Sequence, residues 1–327
     1  MNTVLHCTDV GLLGKDEPSV QVLLATYNGE AFVRDQLASL WAQTHREFEV
    51  LAADDGSSDK TLSLLTAAQP ESGGRLKIAF DGRVGGAAQN FMRLLRASAA
   101  PYVFLCDQDD VWLPEKIETM LQRMKELEHG SQGTPLLLHS DLSVVDEARA
   151  IRHASFFSFT ELDPVRCDFT SLLLRNCVTG CATMVNRPLV ELAVGGAGSQ
   201  MIMHDWWLAL VAAAFGQIHT LPLPLVQYRQ HGRNTLGATR WSAVSIAYRV
   251  GQVLSGAARR NPLQRCSEQA KAFNVAYGPM LGEEHREAVL LAASLFELSP
   301  LGRRRALLEL GVFKQGLKRA LVSLFAS

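Results

Sequence analysis

The sequence lacks any apolar run near the roughly 18 residues that a membrane-spanning helix requires. Met1 to Glu17 carries Asp9, Asp16 and Glu17, without the basic-then-apolar order of a secretory signal. These two absences lead to the expectation of a cytoplasmic protein. Cysteine is sparse and scattered: Cys7, Cys106, Cys167, Cys177, Cys181 and Cys266 include no CxxC pair. Cys177 and Cys181 are four apart, but no His or Cys pair follows at zinc-site spacing, so structural thiols in a reducing compartment are expected. GxxxxGK[ST] is absent, which excludes a P-loop nucleotidase. No internal repeat and no low-complexity linker interrupts the chain. Hydrophobic residues at 47% and charged residues at 20% exclude disordered and fibrous classes.

What is present is uneven in charge. Residues 1–240 hold 20 Lys/Arg against 27 Asp/Glu, while residues 241–327 hold 12 against 6. An acidic front and a basic tail point to two regions with different partners. The front alternates strand and helix. Val20–Ala25 is β-rich and is broken by Thr26-Tyr27-Asn28-Gly29, after which Phe32, Leu37, Leu40 and Trp41 recur at helical spacing. Phe48–Ala53 is a second strand, ended by Asp54-Asp55-Gly56-Ser57-Ser58-Asp59, and a helix over 60–68 follows. Leu76–Phe80, a helix over 87–97 and a strand at Tyr102–Leu105 continue the pattern. Such alternation predicts a parallel, doubly wound sheet, in which ligands bind at the carboxyl ends of the strands. The polar clusters Thr26–Gly29, Asp54–Asp59 and Asp107–Asp110 fall at those ends. Further helices are expected over 115–128 and 205–215, with a strand at Leu136–His139 and a helical pattern from Trp241 onward.

The last of these clusters, Cys106-Asp107-Gln108-Asp109-Asp110-Val111-Trp112-Leu113-Pro114, places three carboxylates within four positions. Crowded carboxylates repel unless a cation neutralises them, and a hard divalent metal with oxygen ligands would do so. A metal held by few carboxylates completes its shell with phosphate and water. The alternative from these residues alone is a solvated acidic turn.

Seven motifs, taken in order, resemble the family 2 inverting glycosyltransferases of the GT-A fold. They are Ala25-Thr26-Tyr27-Asn28-Gly29, Asp54–Asp59, Asp107–Trp112, His139-Ser140-Asp141-Leu142, Asn176–Cys181, His204-Asp205-Trp206-Trp207 and Tyr228-Arg229-Gln230-His231-Gly232. The last four are most similar to bacterial rhamnosyltransferases of cell-surface polysaccharide assembly. The resemblance covers about 19–237 and implies a Rossmann-like, mostly parallel α/β sheet flanked by helices, with a helical C-terminal extension. Three regions are expected: a tail at 1–18, the GT-A domain at 19–240 and a basic helical region at 241–327.

The resemblance also implies roles. Thr26, Tyr27 and Glu30 would border the nucleotide base, and Asp55, with Asp54, would accept the N3–H of a pyrimidine. Gly85 and Asn90, before and within the third helix, would lie near the diphosphate together with Asp107 and Arg229. Asp107, Asp109, Asp110 and His231 form the implied metal set, for Mg2+ or Mn2+, which would stabilise the leaving nucleoside diphosphate. Asp205 is the implied general base that deprotonates the acceptor hydroxyl. Asn176, Thr179, Gly180, Trp206 and Trp207 would line the sugar or acceptor pocket. The implied donor is dTDP-rhamnose, the acceptor a glycan or lipid-linked glycan such as O-antigen or lipopolysaccharide. No nucleic-acid partner is expected.

In the tail, Leu310, Phe313, Leu317, Leu321 and Leu324 form an apolar stripe beside Lys314, Lys318 and Arg319. This stripe suits peripheral contact with the cytoplasmic face of the inner membrane, docking on the catalytic domain, or a dimer contact. Two rival functions remain: a metal-dependent phosphohydrolase, and a non-catalytic nucleotide-sugar binding module.

Overall fold

Successive side chains of β1 (Val20–Thr26) point to opposite faces of a sheet, and both faces are apolar. Val20, Val22 and Leu24 enter one core, while Leu23 and Ala25 enter the other. A strand buried on both sides belongs in the interior. Accordingly β1 runs parallel between β2 (Glu49–Asp54) and β4 (Tyr102–Asp107), and β3 (Leu76–Phe80) extends the parallel edge beyond β2. The computed structural model describes residues 19–160, 163–164, 167–198, 200–232 and 262–312.

Beyond β4 the sheet becomes mixed. β8 (Thr183–Asn186) is antiparallel to β4 and to β6 (Leu136–Val145), and β6 runs parallel to β9 (Gln217–Arg229). The two-residue β5 (Val111–Trp112) pairs with β9, and β7 (Ile151–His153) with β6, both antiparallel. The order is β3-β2-β1-β4-β8-β6-β9-β5. Parallel registers account for most of the paired residues, so the expected mostly parallel sheet is observed, though it is not the uniformly parallel one that strand–helix alternation predicts. The second half differs because β8 inserts antiparallel between β4 and β6; β6, expected to end at His139, also continues to Val145 alongside β9.

One face is covered by α1 (Val33–Trp41), α2 (Thr61–Glu71) and α4 (Lys116–Glu128), through Val33, Leu37, Leu40, Leu65, Ile117 and Met120. The other is covered by α3 (Ala87–Ala97), α6 (Phe169–Leu174), α7 (Arg187–Gly196) and α8 (His204–Phe215). A short α5 (Phe156–Thr160) sits between β7 and α6, and Asp141 accepts the N–H groups of Phe156 and Phe157 at its start. Asn186 caps α7 through Leu189 N–H and also accepts from Leu136 N–H.

α9 (Pro262–Tyr277), α10 (Glu283–Ser294) and α11 (Pro300–Glu309) pack onto the same core as α6 and α8. Phe273 and Tyr277 lie 5.4 and 6.0 Å from the Trp207 ring, and Phe273 lies 5.7 Å from Phe169. The basic region is therefore docked over its described part. Leu310, the first residue of the expected apolar stripe, is buried, while Phe313, Lys314, Leu317, Lys318, Arg319, Leu321 and Leu324 lie outside the described residues. Among the described residues no helix is long and apolar enough to cross a membrane. The expectation of thiols throughout is corrected at one place. Cys167 and Cys177 are joined as a disulfide across α6, whereas Cys106, Cys181 and Cys266 are free and buried.

Candidate active site

The register of the parallel strands assembles the site. Thr26 pairs with Asp54, and Ala25 pairs with Asp107, so the carboxyl ends of β1, β2 and β4 end level. β1 and β4 flank the point where the chain order reverses, which is where open α/β sheets bind ligands.

The loops after β1 and β2 are laced together by side chain–backbone hydrogen bonds. Asn28 N–H donates to Ser57 Oγ (2.8 Å), Gly29 N–H to Thr61 Oγ1 (2.7 Å) and Glu30 N–H to Asp59 (3.1 Å). In return Ser58 N–H donates to Asn28 Oδ1 and Lys60 N–H to Glu30. Asn28 adopts φ +48°, one of the few residue types that tolerate this region. Thr26 and Asp54 are buried, and Asp54 accepts from Thr26 Oγ1, Ser57 N–H and Ser57 Oγ. Glu30 thus caps the start of α2, and Tyr27 leaves its ring half exposed.

Asp55 accepts from three consecutive amides, those of Val84, Gly85 (3.0 Å) and Gly86 (2.6 Å). Burial would raise its pKa, but these hydrogen bonds and the nearby Arg93 charge outweigh it and hold the carboxyl below its usual value. Gly85 and Gly86 have φ of +95° and +109°, a backbone only glycine adopts readily, and this curls the amides toward Asp55. Asn90 lies behind the site, with its amide on the carbonyls of Ala53 (2.9 Å) and Thr26 (3.4 Å) and its Oδ1 on Arg93.

In the acidic cluster, Asp107, Asp110 and the Cys181 thiol present potential ligand atoms within 4.8 Å of one another. Asp110 Oδ1 accepts from Arg229 N–H and the Cys181 thiol bears on the same carboxylate, while its buried Oδ2 has no N–H or O–H donor. Burial pushes the Asp107 and Asp110 carboxyls well above the ordinary range, with the charge of Asp109 adding to it, and Asp205 also acts on Asp107. Crowded carboxylates with an orphaned buried oxygen fit a divalent cation. Asp109 instead meets His231 Nε2 at 2.8 Å, and the imidazole stacks on Phe32. Arg229 is almost fully buried: its guanidinium reaches the carbonyls of Asp109 and Glu147 and the Asp35 carboxylate (2.8 Å), clamping the cluster to α1.

Asp205 opens α8 and is buried. Its Oδ1 accepts from Trp206 N–H (2.7 Å) and its Oδ2 from Gly180 N–H (3.1 Å), with the Asn176 side chain also bonded. Burial raises its pKa to about 6 against these three stabilising contacts. A carboxylate so placed is ionised at neutral pH yet basic enough to take a proton. Trp206 is half-buried against the core with its indole N–H on Leu172 O, and Trp207 is wholly buried in the core with its indole N–H on Ala193 O. His204, also buried, stacks on Phe91 at 3.9 Å, and burial lowers its pKa to about 3.

Two residues here escaped the sequence reading. Gln108 exchanges two 2.8 Å hydrogen bonds with the Tyr27 backbone, joining the β1 loop to the acidic loop. Its position inside the acidic motif was the available signal. Lys116 is completely buried under the cluster; it shares a stripe with Met120 and Met124, so a cation on an apolar helix face was legible.

The chain belongs to glycosyl transferase family 2, whose model matches residues 21–184, half of the sequence. It is 26% identical over 223 residues to the dTDP-rhamnosyl transferase RfbG of Shigella flexneri, covering 66% of this chain and 74% of that one. It is 25% identical over 170 residues to the Escherichia coli glucosyltransferase WfgD, described as UDP-Glc:alpha-D-GlcNAc-diphosphoundecaprenol beta-1,3-glucosyltransferase, covering 52% of this chain and 60% of that protein. Among solved structures, residues 1–349 of S. aureus TarS with UDP-GlcNAc superpose with a TM-score of 0.52 at 16% identity, over 94% of this chain and 88% of that one. A Pyrobaculum calidifontis mannosyltransferase in complex with GDP-Man and Mn2+ gives 0.51 at 16% identity, over 95% and 85%. These structures share the GT-A fold.

Proposed function

We propose that this chain is a metal-dependent inverting glycosyltransferase of cell-surface polysaccharide assembly. In this reading it transfers rhamnose from dTDP-rhamnose to a glycan or lipid-linked glycan. The observation that carries the proposal is the Gly180–Ala182 turn, whose Gly180 N–H holds the buried Asp205 carboxylate while its next residue, Cys181, lies against Asp107 and Asp110 at the carboxyl end of β4. The donor assignment draws on the similarity to RfbG.

Asp205 removes the acceptor hydroxyl's proton as that oxygen attacks the anomeric carbon opposite the leaving group. Gly180 N–H, Trp206 N–H and Asn176 fix the carboxylate's orientation, while Thr179 and the Trp206 ring flank the acceptor. Asp107 and Asp110, with Asp109 adjacent, would hold Mg2+ or Mn2+. That ion, when bound, neutralises charge on the departing diphosphate. Asp55 reads the base. A carboxylate has about four lone-pair directions, and three are taken by the amides of Val84, Gly85 and Gly86, which leaves one for a pyrimidine N3–H. Tyr27 offers an exposed ring beside it. The buried Thr26, Asp54, Asn90 and Arg229, with the exposed Glu30 on Lys60 N–H, shape these loops, and His231 orients Asp109.

The phosphohydrolase reading requires a lysine clamp facing phosphate; Lys116 lies beneath the cluster, bonded to a backbone carbonyl. A binding module needs no buried base. The deciding experiment is a thermal-shift panel of nucleotide sugars with Mn2+ or Mg2+. Stabilisation by dTDP-rhamnose together with loss of transfer in Asp205→Asn supports the proposal; no shift with any pyrimidine diphosphate sugar overturns it. Peripheral membrane contact stays assigned to residues after Val312, tested by sedimentation with anionic liposomes of the full chain against a chain ending there.

A further inference from the structure

Lys116 is the first residue of α4 and is completely buried, an expensive place for an ammonium at the positive end of a helix. Its Nζ lies 3.3 Å from the centroid of the Trp112 ring and 6.0 Å from that of Phe104. It donates to the Cys181 carbonyl at 2.6 Å. Cys181 is the middle residue of the short 3-10 turn Gly180–Ala182. That turn touches both halves of the site: Gly180 N–H holds Asp205, and the Cys181 thiol adjoins Asp107 and Asp110. It leaves no slack, since a Cβ on Gly180 would lie 2.9 Å from His204 Nε2. A second anchor is Thr183, whose Oγ1 donates to Thr179 O at 2.9 Å.

We propose that Lys116 is a positioning residue that fixes the Gly180–Ala182 turn, and through it the Asp205 carboxylate, against the acidic cluster. The inference rests on the reading of Asp205 as the base. Lys116 makes no hydrogen bond to Asp205 and meets Asp107 and Asp110 only through its charge; by its bond to the turn it sets the distance between the residue that activates the nucleophile and those that receive the leaving group. A merely structural lysine would alter stability, whereas this one governs turnover at unchanged nucleotide affinity.

Full-length Lys116→Met and Thr183→Val are compared with the parent and with Asp205→Asn. Amide hydrogen exchange is read over 178–182 and over β1–β3. Affinity is measured with dTDP and Mn2+, and turnover by dTDP release from dTDP-rhamnose. The expected result for Lys116→Met is faster exchange at 178–182 alone, kcat lower by about tenfold or more, and a dTDP Kd within about threefold of the parent. Thr183→Val is expected to give the same signature at smaller amplitude. Unchanged exchange at 178–182, kcat within about twofold, or an affinity loss matching the loss in kcat/KM overturns the proposal. If Lys116→Met does not fold, Thr183→Val decides by the same criteria. Asp205→Asn separates the two readings. Retained turnover there removes the base itself, whereas inactive Asp205→Asn beside unaffected Lys116→Met and Thr183→Val removes only the positioning role.

Discussion

Asp205 is ionised at neutral pH although burial opposes its charge, and this has measurable consequences for both rate and stability. With Asp205 in the proposed role of base, the acid limb of kcat/KM should rise through about pH 6, because only the ionised form accepts a proton. Since its folded pKa lies above the unfolded value, the stability linked to its neutral form is fully present below about pH 4 and is lost as pH climbs through about 6. Thermal melts of Asp205→Asn and the parent at pH 4 and pH 8 should therefore diverge with rising pH, in favour of Asn, by about 2–3 kcal/mol. Gln108→Ala should keep the fold but weaken dTDP binding by roughly 1–2 kcal/mol, read by calorimetry, because the β1 loop loses both bonds to the acidic loop. The carboxylates were legible because like charges crowded in four positions carry their own chemistry. Lys116 and Gln108 carry only a weak signal, a cation on an apolar helix face and an amide inside the acidic motif, because their partners are backbone groups at Cys181 and Tyr27 that only the fold brings near.

At the scale of elements, the first four strands could be read almost to the residue: β1, β2 and β4 are buried on both sides and write near-continuous apolar runs, while the edge strand β3 alternates. Leu76–Phe80 and the helix Ala87–Ala97 have the expected limits. The second half was harder. β6 carries His139, Ser140, Asp141 and Ser143 in a wholly buried strand, so its polar sequence concealed its length. The Cys167–Cys177 pairing left no spacing signal either. One polar residue knits three elements together here. Asn186 accepts from Leu136 N–H and Leu189 N–H and donates to Glu128 and Thr134 O, joining β6, α7 and the end of α4. Asn186→Ala removes a cap and leaves a buried N–H without a partner, so a loss of roughly 2–4 kcal/mol is expected in urea unfolding.

For the whole molecule, the division at residue 240 does not mark two independent bodies over the described residues. Phe273, Tyr277, Val289 and Leu307 share a core with Phe169, Trp207 and Leu210. A chain ending at Arg240 would bare that surface and should fail to fold, whereas the full chain should melt cooperatively. Circular dichroism and size-exclusion chromatography distinguish these outcomes.

The disulfide that spans α6 bears on how the protein is handled at the bench. Asn176, which steadies Asp205, immediately precedes Cys177 in the chain. Disulfides are rare in reducing compartments, so turnover is best measured both with and without dithiothreitol, and a difference between the two would place the bridge among the supports of Asp205.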